Sequence, residues 1–380
     1  MKILITTGIF RPEVGGPATY AAELAERLVS AGHSVEVITY SSIAEDPHDR
    51  NYHFPIRRIV RGNKLWNYIR YYLAVRHAAP KADLIYSLDW FSAGLPVMIA
   101  AKRARKPYVL RIGGGYIWEK YLRDGKPPMT LAEFYAKKKY RQYPVMFWLI
   151  GRVLREASFV VFNSDIQRDM YLAPYRLSRE KTMVIQNALP SLRLAAIMRD
   201  YKKFRSEPDK EIVFAGRFIK MKNIELLIHA FARLQDSSFR LLLVGDGPTE
   251  LELRVLVKEL GLHARVEFLK PMPQAVLYRR IANCYLVVIP SWTDVSPNQA
   301  YECLDLGIPV LVTRENYLPI RDRLPHSFDP ASPVELADKL NILLDRETYL
   351  QFVETEAKIS IKRTWNEVVI EHIRLFNSLA

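Results

Sequence analysis

Residues 289–310 read Ile289-Pro290-Ser291-Trp292-Thr293-Asp294-Val295-Ser296-Pro297-Asn298-Gln299-Ala300-Tyr301-Glu302-Cys303-Leu304-Asp305-Leu306-Gly307-Ile308-Pro309-Val310. The apolar run Tyr285–Ile289 ends here, a polar loop follows, and a helix carries Glu302 to a stop at Gly307. The next apolar run, Pro309–Val312, begins at once. A strand that returns to a strand through a helix needs a parallel neighbour. The same grammar extends outward through Glu211–Ala215, Arg240–Val244 and Arg265–Leu269. It recurs in the first half as Lys2–Thr7, Ser34–Thr39, Leu84–Ser87, Tyr108–Ile112 and Phe159–Asn163, with an amphipathic stretch at Ala18–Ala31. These runs show little internal alternation, so both faces of each sheet are expected to be covered. The fold class expected is α/β, with two doubly wound domains.

The pattern weakens from Pro190 to Asp209 into a polar, basic stretch that reads as a linker. That puts a first domain at 1–189 and a second at 190–360. The last segment, Arg363–Leu379, places Trp365, Val368, Val369, His372, Ile373 and Phe376 at helical spacing with no strand after it.

The chain has 380 residues, 49% of them hydrophobic and 25% charged, a balance that excludes disordered and fibrous classes. Two cysteines are too few for a disulfide framework and point to a reducing compartment. No apolar run reaches the length of a membrane span, and the first residues read as a strand rather than a signal peptide, so a cytoplasmic protein is expected. The net charge of +14 lies wholly in the first half, where residues 1–200 hold 31 Lys and Arg against 17 Asp and Glu. One domain is thus expected to meet an anionic partner. No nucleic-acid motif accompanies that charge, so nucleic acid is the weaker reading of it.

In open α/β sheets ligands bind beyond the carboxyl ends of the strands. After the first strand, Gly15-Gly16-Pro17 leads straight into a helix, a backbone that a phosphate can approach. Neither a Walker A motif nor a G-x-G-x-x-G fingerprint occurs, which argues against an ATPase or a nicotinamide enzyme. In the second half, Gly216-Arg217 ends a strand and Lys222 opens the next helix. Together the two cations suit a diphosphate without a metal, although taken alone they are two surface charges. Gly245-Asp246-Gly247-Pro248 is another Gly-rich turn, and by itself only a tight entry to a helix. Asp294 lies on a loop with Glu302 on the helix behind it, and the Val295–Asn298 turn exposes N–H groups at that helix's start. Taken alone the two are a solvated loop acid and an ordinary helical Glu, but the arrangement also lets Glu302 accept from ribose hydroxyls and Asp294 face a sugar.

Taken in order, these elements resemble the GT-B-fold glycosyltransferases, most closely family 4, the retaining, metal-independent sugar transferases. Val184-Ile185-Gln186-Asn187-Ala188 is similar to the family's exit from its first domain, and the acid-x7-Glu pair and Gly307-Ile308-Pro309-Val310 follow in place. The resemblance implies two Rossmann-like domains, with the last helix, 361–380, returning to the first. It implies a hexosyl donor linked to UDP or GDP as substrate, no cofactor and no metal. Arg217 and Lys222 would hold the donor diphosphate and Glu302 the ribose. Gly15, Gly16, Gly216, Gly245, Ser296, Pro297 and Asn298 would line the donor, with Lys270 beside the base. Asp294 stands where the family usually has a Glu, and no His lies between His77 and His229 in place of the family's first-domain His. A glycan or lipid-linked acceptor is expected. The other readings are a sugar-nucleotide epimerase on the same fold and a catalytically silent sugar-nucleotide-binding subunit.

Lys137-Lys138-Lys139-Tyr140-Arg141 precedes Val145-Met146-Phe147-Trp148-Leu149-Ile150, with Arg152 and Arg155 behind. Such a run suits peripheral contact with an anionic membrane, Phe147 and Trp148 entering the acyl boundary, or else a buried helix of the first domain with a solvated basic approach.

Overall fold

A computed structural model describes residues 1–13, 15–188, 208–359 and 363–379. The chain forms two compact units, one of Met1–Ile117, Lys137–Ala188 and Arg363–Ala380, the other of Trp118–Ala136 and Leu189–Lys362. The stretch expected to be the linker lies mostly outside the described residues. One difference from a division at 189/190 is clear. Residues 118–136 belong with the second unit, where the Leu131 N–H donates to the buried Thr293 hydroxyl at 2.9 Å.

The first unit holds seven parallel strands in the order β3-β2-β1-β4-β5-β6-β7. They are β1 Lys2–Thr7, β2 Ser34–Ser41, β3 Ile56–Val60, β4 Leu84–Ser87, β5 Tyr108–Ile112, β6 Phe159–Phe162 and β7 Thr182–Val184. The central strands β4 and β5 are buried along their whole length, which is why they read as apolar runs interrupted only by Ser87 and Arg111. The two edge strands were not legible as strands. β7 has three residues, and β3 carries two arginines, of which Arg58 is buried against Asp49 at 2.6 Å and the Arg11 carbonyl at 2.6 Å.

The helix Trp365–Asn377 opens with a Thr364–Glu367 capping box and buries Val368, Val369, His372, Leu375 and Phe376 in the first unit. His372 Nδ1 faces the Val368 carbonyl at 2.6 Å, so that nitrogen carries the proton. Nε2 is then left to accept from the Tyr86 hydroxyl at 2.8 Å. Burial, and then the nearby Arg111 guanidinium, pushes His372 down to about 3, keeping it neutral.

The helix Pro144–Glu156 corrects the expectation for its apolar run. Ile150 is buried, and Phe147 is stacked between Tyr140 at 4.4 Å and Tyr175 at 4.7 Å. Phe147 therefore belongs to the protein's own packing and is not presented to a lipid boundary.

The second unit is a five-stranded parallel sheet in the order β10-β9-β8-β11-β12. Its strands are β8 Asp209–Ala215, β9 Arg240–Val244, β10 Val266–Leu269, β11 Cys284–Ile289 and β12 Val310–Val312. The chain runs outward from β8 to β9 and β10, then returns to β11 on the other side. The crevice beyond β8 and β11 is thus the topological switch point.

Glu356, on the helix Arg346–Ala357, is 5% exposed and accepts from the Val310 N–H at 3.0 Å. Burial pushes its carboxyl from 4.5 up to about 8. The folded protein therefore holds a proton there that the unfolded chain has lost at neutral pH. This contribution to stability is fully present below 4.5 and is lost as pH rises towards 8. Melting temperatures of the parent should fall more steeply than those of Glu356→Gln between about pH 5 and about pH 8. Parallel curves for the two proteins would refute the assignment.

Candidate active site

The site in the second unit is built from loops that leave β8, β9 and β11. Two glycines let the first two loops touch. A Cβ on Gly245 would lie 1.9 Å from the Gly216 carbonyl oxygen, and one on Gly247 2.3 Å from that of Phe218. Both residues also have positive φ, at 148° and 153°. The Gly216 N–H donates to Val244 at 2.9 Å and the Thr249 N–H to Phe218 at 3.2 Å. The Gly-Asp-Gly-Pro turn is therefore more than a helix entry, because it clamps the backbone on either side of Arg217. The Arg217 guanidinium is exposed and, among the described residues, has no hydrogen-bond or ion-pair partner.

Lys222 ends a short 3₁₀ turn, Lys220–Lys222. Asn223 follows in the left-handed region and its amide donates to the Pro330 carbonyl at 2.7 Å, which fixes the turn. The Met221 carbonyl accepts from the Trp292 N–H at 3.0 Å, tying this turn to the loop after β11. Across that tie, Lys222 Nζ lies 2.8 Å from Asp294 Oδ2, with the side chains 26% and 12% exposed. The Ser291 hydroxyl adds a contact to the same oxygen at 3.3 Å. Asp294 is held through its backbone as well, donating to Glu315 and accepting from Tyr317, each at 3.0 Å. Burial, and then Glu133, pushes the Glu315 carboxyl above its usual range. Lys220, by contrast, turns to Glu225 and Glu252.

Glu302 lies on the helix Asn298–Leu306, whose start at Pro297 has no side-chain cap. Ahead of it the Asn298 N–H donates to the Ser296 carbonyl at 2.9 Å. Gln274 donates to Glu302 Oε1 at 2.8 Å and the Tyr278 hydroxyl donates to Oε2. Desolvation raises the Glu302 carboxyl, while these two hydrogen bonds oppose the rise. Each carboxylate oxygen has a second lone pair, so capacity for ribose hydroxyls remains. Gln274 and Tyr278 were missed in the sequence, although their i, i+4 spacing on one helix face was a signal. The structure thus joins Lys222 to Asp294 directly and engages Glu302 through Gln274 and Tyr278. Lys270 is exposed and 3.7 Å from Glu250, on the surface after β10.

In the first unit, Gly15 precedes the helix Gly16–Ser30, which has no side-chain cap and has Pro17 in its first turn. A Cβ on Gly15 would meet Ile9 at 2.7 Å, whereas one on Gly16 would meet nothing within 4 Å. In the loop after β5, the Gly114 carbonyl accepts from Gln167 and Tyr171, each at 3.2 Å. Among the described residues no group of three or more His, Cys, Asp or Glu is placed to hold a metal ion.

Gly247→Ala should cost the second unit at least ~2 kcal/mol in a denaturant melt, because a backbone oxygen occupies the new methyl's place. Gly16→Ala should stay within ~0.5 kcal/mol of the parent. Equal losses would undo the distinction between a packing glycine and a glycine facing open space.

The group 1 glycosyl transferase model matches residues 199–359, and the glycosyl transferase 4-like domain model matches residues 15–188. An uncharacterized glycosyltransferase of Methanocaldococcus jannaschii is 23% identical over 99% of this chain and 98% of its own. A D-inositol 3-phosphate glycosyltransferase of Stackebrandtia nassauensis is 26% identical over 79% of this chain and 71% of its own. Among solved structures, HepE of Anabaena in complex with UDP and glucose superposes with a TM-score of 0.77 at 20% identity, covering 100% of both chains. The sucrose-phosphate synthase of Thermosynechococcus elongatus gives 0.76 at 19%, covering 100% of this chain and 98% of its own. The likeness of these two structures concerns the fold. With both halves matched in order and the second sheet's switch point carrying the cations and acids described above, the chain belongs to the family 4 glycosyltransferases of the GT-B fold and is a glycosyltransferase.

Proposed function

We propose that the protein transfers a hexosyl unit, with retention, from a nucleotide-diphosphate sugar to a glycan or lipid-linked acceptor, without cofactor or metal. The reading rests on one observation: a Lys222–Asp294 pair, seated beside the β8–β11 switch point and only partly shielded from solvent. UDP is the favoured nucleotide, by analogy with the UDP and glucose bound to HepE. No described helix is long and apolar enough to cross a membrane. The place of action proposed is the cytoplasm, at the inner face of the membrane when the acceptor is lipid-linked.

When the sugar–phosphate bond breaks, the two negative charges already on the diphosphate are joined by a third that grows on the departing oxygen. Arg217 and Lys222 supply fixed positive charge for them, and the positive end of the Asn298–Leu306 helix dipole adds to it. In this account Asp294 keeps the Lys222 ammonium oriented until the diphosphate takes its place. The Asp294 carboxylate then turns to the sugar while Glu302, steadied by Gln274 and Tyr278, holds the ribose. The family's front-face course follows, the leaving phosphate taking the acceptor hydroxyl's proton.

A thermal-shift screen with UDP-, GDP- and ADP-glucose tests the donor class, since a ligand that binds only the folded form raises its stability. Slow hydrolysis of the donor in water supports transfer. A nucleotide-linked isomer would identify an epimerase instead, and neither product would identify a silent binder.

Lys222→Ala and Glu302→Ala should each lower the hydrolysis rate at least ~30-fold, about 2 kcal/mol of transition-state stabilisation. Near-parental rates in both would contradict the site. Lys222→Ala should also lose stability by leaving Asp294 without its cation, and adding Asp294→Asn should restore the stability without restoring the rate.

A further inference from the structure

Three helices of the first unit pack side by side: Lys64–Ala78 against Gly94–Ala104, and the latter against Pro144–Glu156. Cross-ties hold the layer together. Arg103 of the second helix hydrogen-bonds Tyr72 of the first, and Lys102 of the second lies 3.2 Å from Glu156 of the third. Each helix buries an apolar inner side, through Tyr71 and Val75, Val97 and Ala101, and Val153 and Leu154. The outer side is apolar as well. Leu65, Trp66, Ile69 and Leu73 form an exposed stripe on the first helix, Ile99 continues it on the second, and Val145 and Trp148 carry it onto the third. Trp66 is 60% exposed and Trp148 54%.

Charge singles out the occupant. Across the three helices the sequence has seven Lys and Arg and a single acid, Glu156. Arg70, Arg76, Arg103 and Arg152 are exposed among the apolar stripes, and the Arg152 guanidinium lies 5.7 Å from the centre of the Trp148 ring. Exposed tryptophans and aliphatics interleaved with uncompensated arginines match the boundary between acyl chains and anionic headgroups. A second copy of the same face would bring like charges together. Nucleic acid would leave the aliphatic stripe without a partner.

We propose that this three-helix face docks on an anionic lipid bilayer, Trp66 and Trp148 entering the interface while the arginines reach headgroups. The inference deepens the reading of a lipid-linked acceptor and uses none of the donor-site residues.

The test is co-sedimentation of the full chain with vesicles of one-third phosphatidylglycerol and two-thirds phosphatidylcholine, against pure phosphatidylcholine. The protein should pellet with the anionic vesicles, with a blue shift in tryptophan emission. It should be released at about 1 M salt, where screening is complete within a few ångströms. Trp66→Ser with Trp148→Ser should lower the partition coefficient at least ~10-fold. Arg70→Gln and Arg152→Gln should each lower it about fivefold. All four positions are exposed, so melting temperatures and the thermal response to UDP-glucose should match the parent's. No preference for anionic vesicles, or partition unaltered by both sets of substitutions, overturns the proposal. So does a concentration-dependent dimer abolished by the tryptophan substitutions, or full release from vesicles by competing duplex DNA. Vesicle binding with no response to any nucleotide sugar would leave the docking face standing and sink the donor-site reading.

Discussion

A parallel sheet buried on both faces leaves little room for polar chemistry except at its ends. In the second unit β8 lies at the middle of the strand order, with β9 on one side and β11 on the other. The loops that follow β8 and β11 must therefore emerge side by side, and the Met221–Trp292 backbone hydrogen bond records that adjacency. Everything proposed for the donor follows from it. The cation after one strand is brought to the acid after the other because the strands are neighbours.

The ion pair formed there has an energetic character suited to exchange. Lys222 and Asp294 are neither fully exposed nor sealed in, so their attraction is larger than that of a surface pair. Their desolvation cost is smaller than that of a buried one. In the proposed exchange a diphosphate replaces Asp294 as the partner of Lys222, and Asp294 keeps the Ser291 hydroxyl as a contact. Glu302 is prepared differently, its carboxylate fixed by an amide and a phenol rather than by a cation. The two acids of the acid-x7-Glu pair thus have distinct surroundings, one coupled to a positive charge and the other held by neutral donors.

The first unit spends its aromatic residues in two ways. Inside, His372 binds the C-terminal helix to the sheet through Tyr86 and to the helix Gly16–Ser30 through Tyr20, with the Arg111 guanidinium 4.1 Å from the Tyr20 ring. Outside, Trp66 and Trp148 stand in the open among arginines. The same net charge that marked this half in the composition is thereby resolved into a surface with a definite helical layer beneath it.

Much of this was legible in one dimension. Strand runs such as Lys2–Thr7, Leu84–Ser87 and Arg240–Val244 were read with their observed bounds because burial of every residue beyond the exposed Lys2 and Arg240 imposes a largely apolar composition. The Gly-rich turns, the cations and the acid pair stood at strand ends, where periodicity alone located them. The tertiary structure decided what pairs with what. Lys222 and Asp294 are 72 residues apart, and only the strand order makes them neighbours. Phe147 left a candidate lipid-facing run because Tyr140 and Tyr175 enclose its ring, while Trp66, unremarkable in sequence, became exposed beside Arg70. Hydrophobic patterning reports whether a residue prefers to leave water. Which partner it meets when it does so depends on the topology, and no local pattern carries that information.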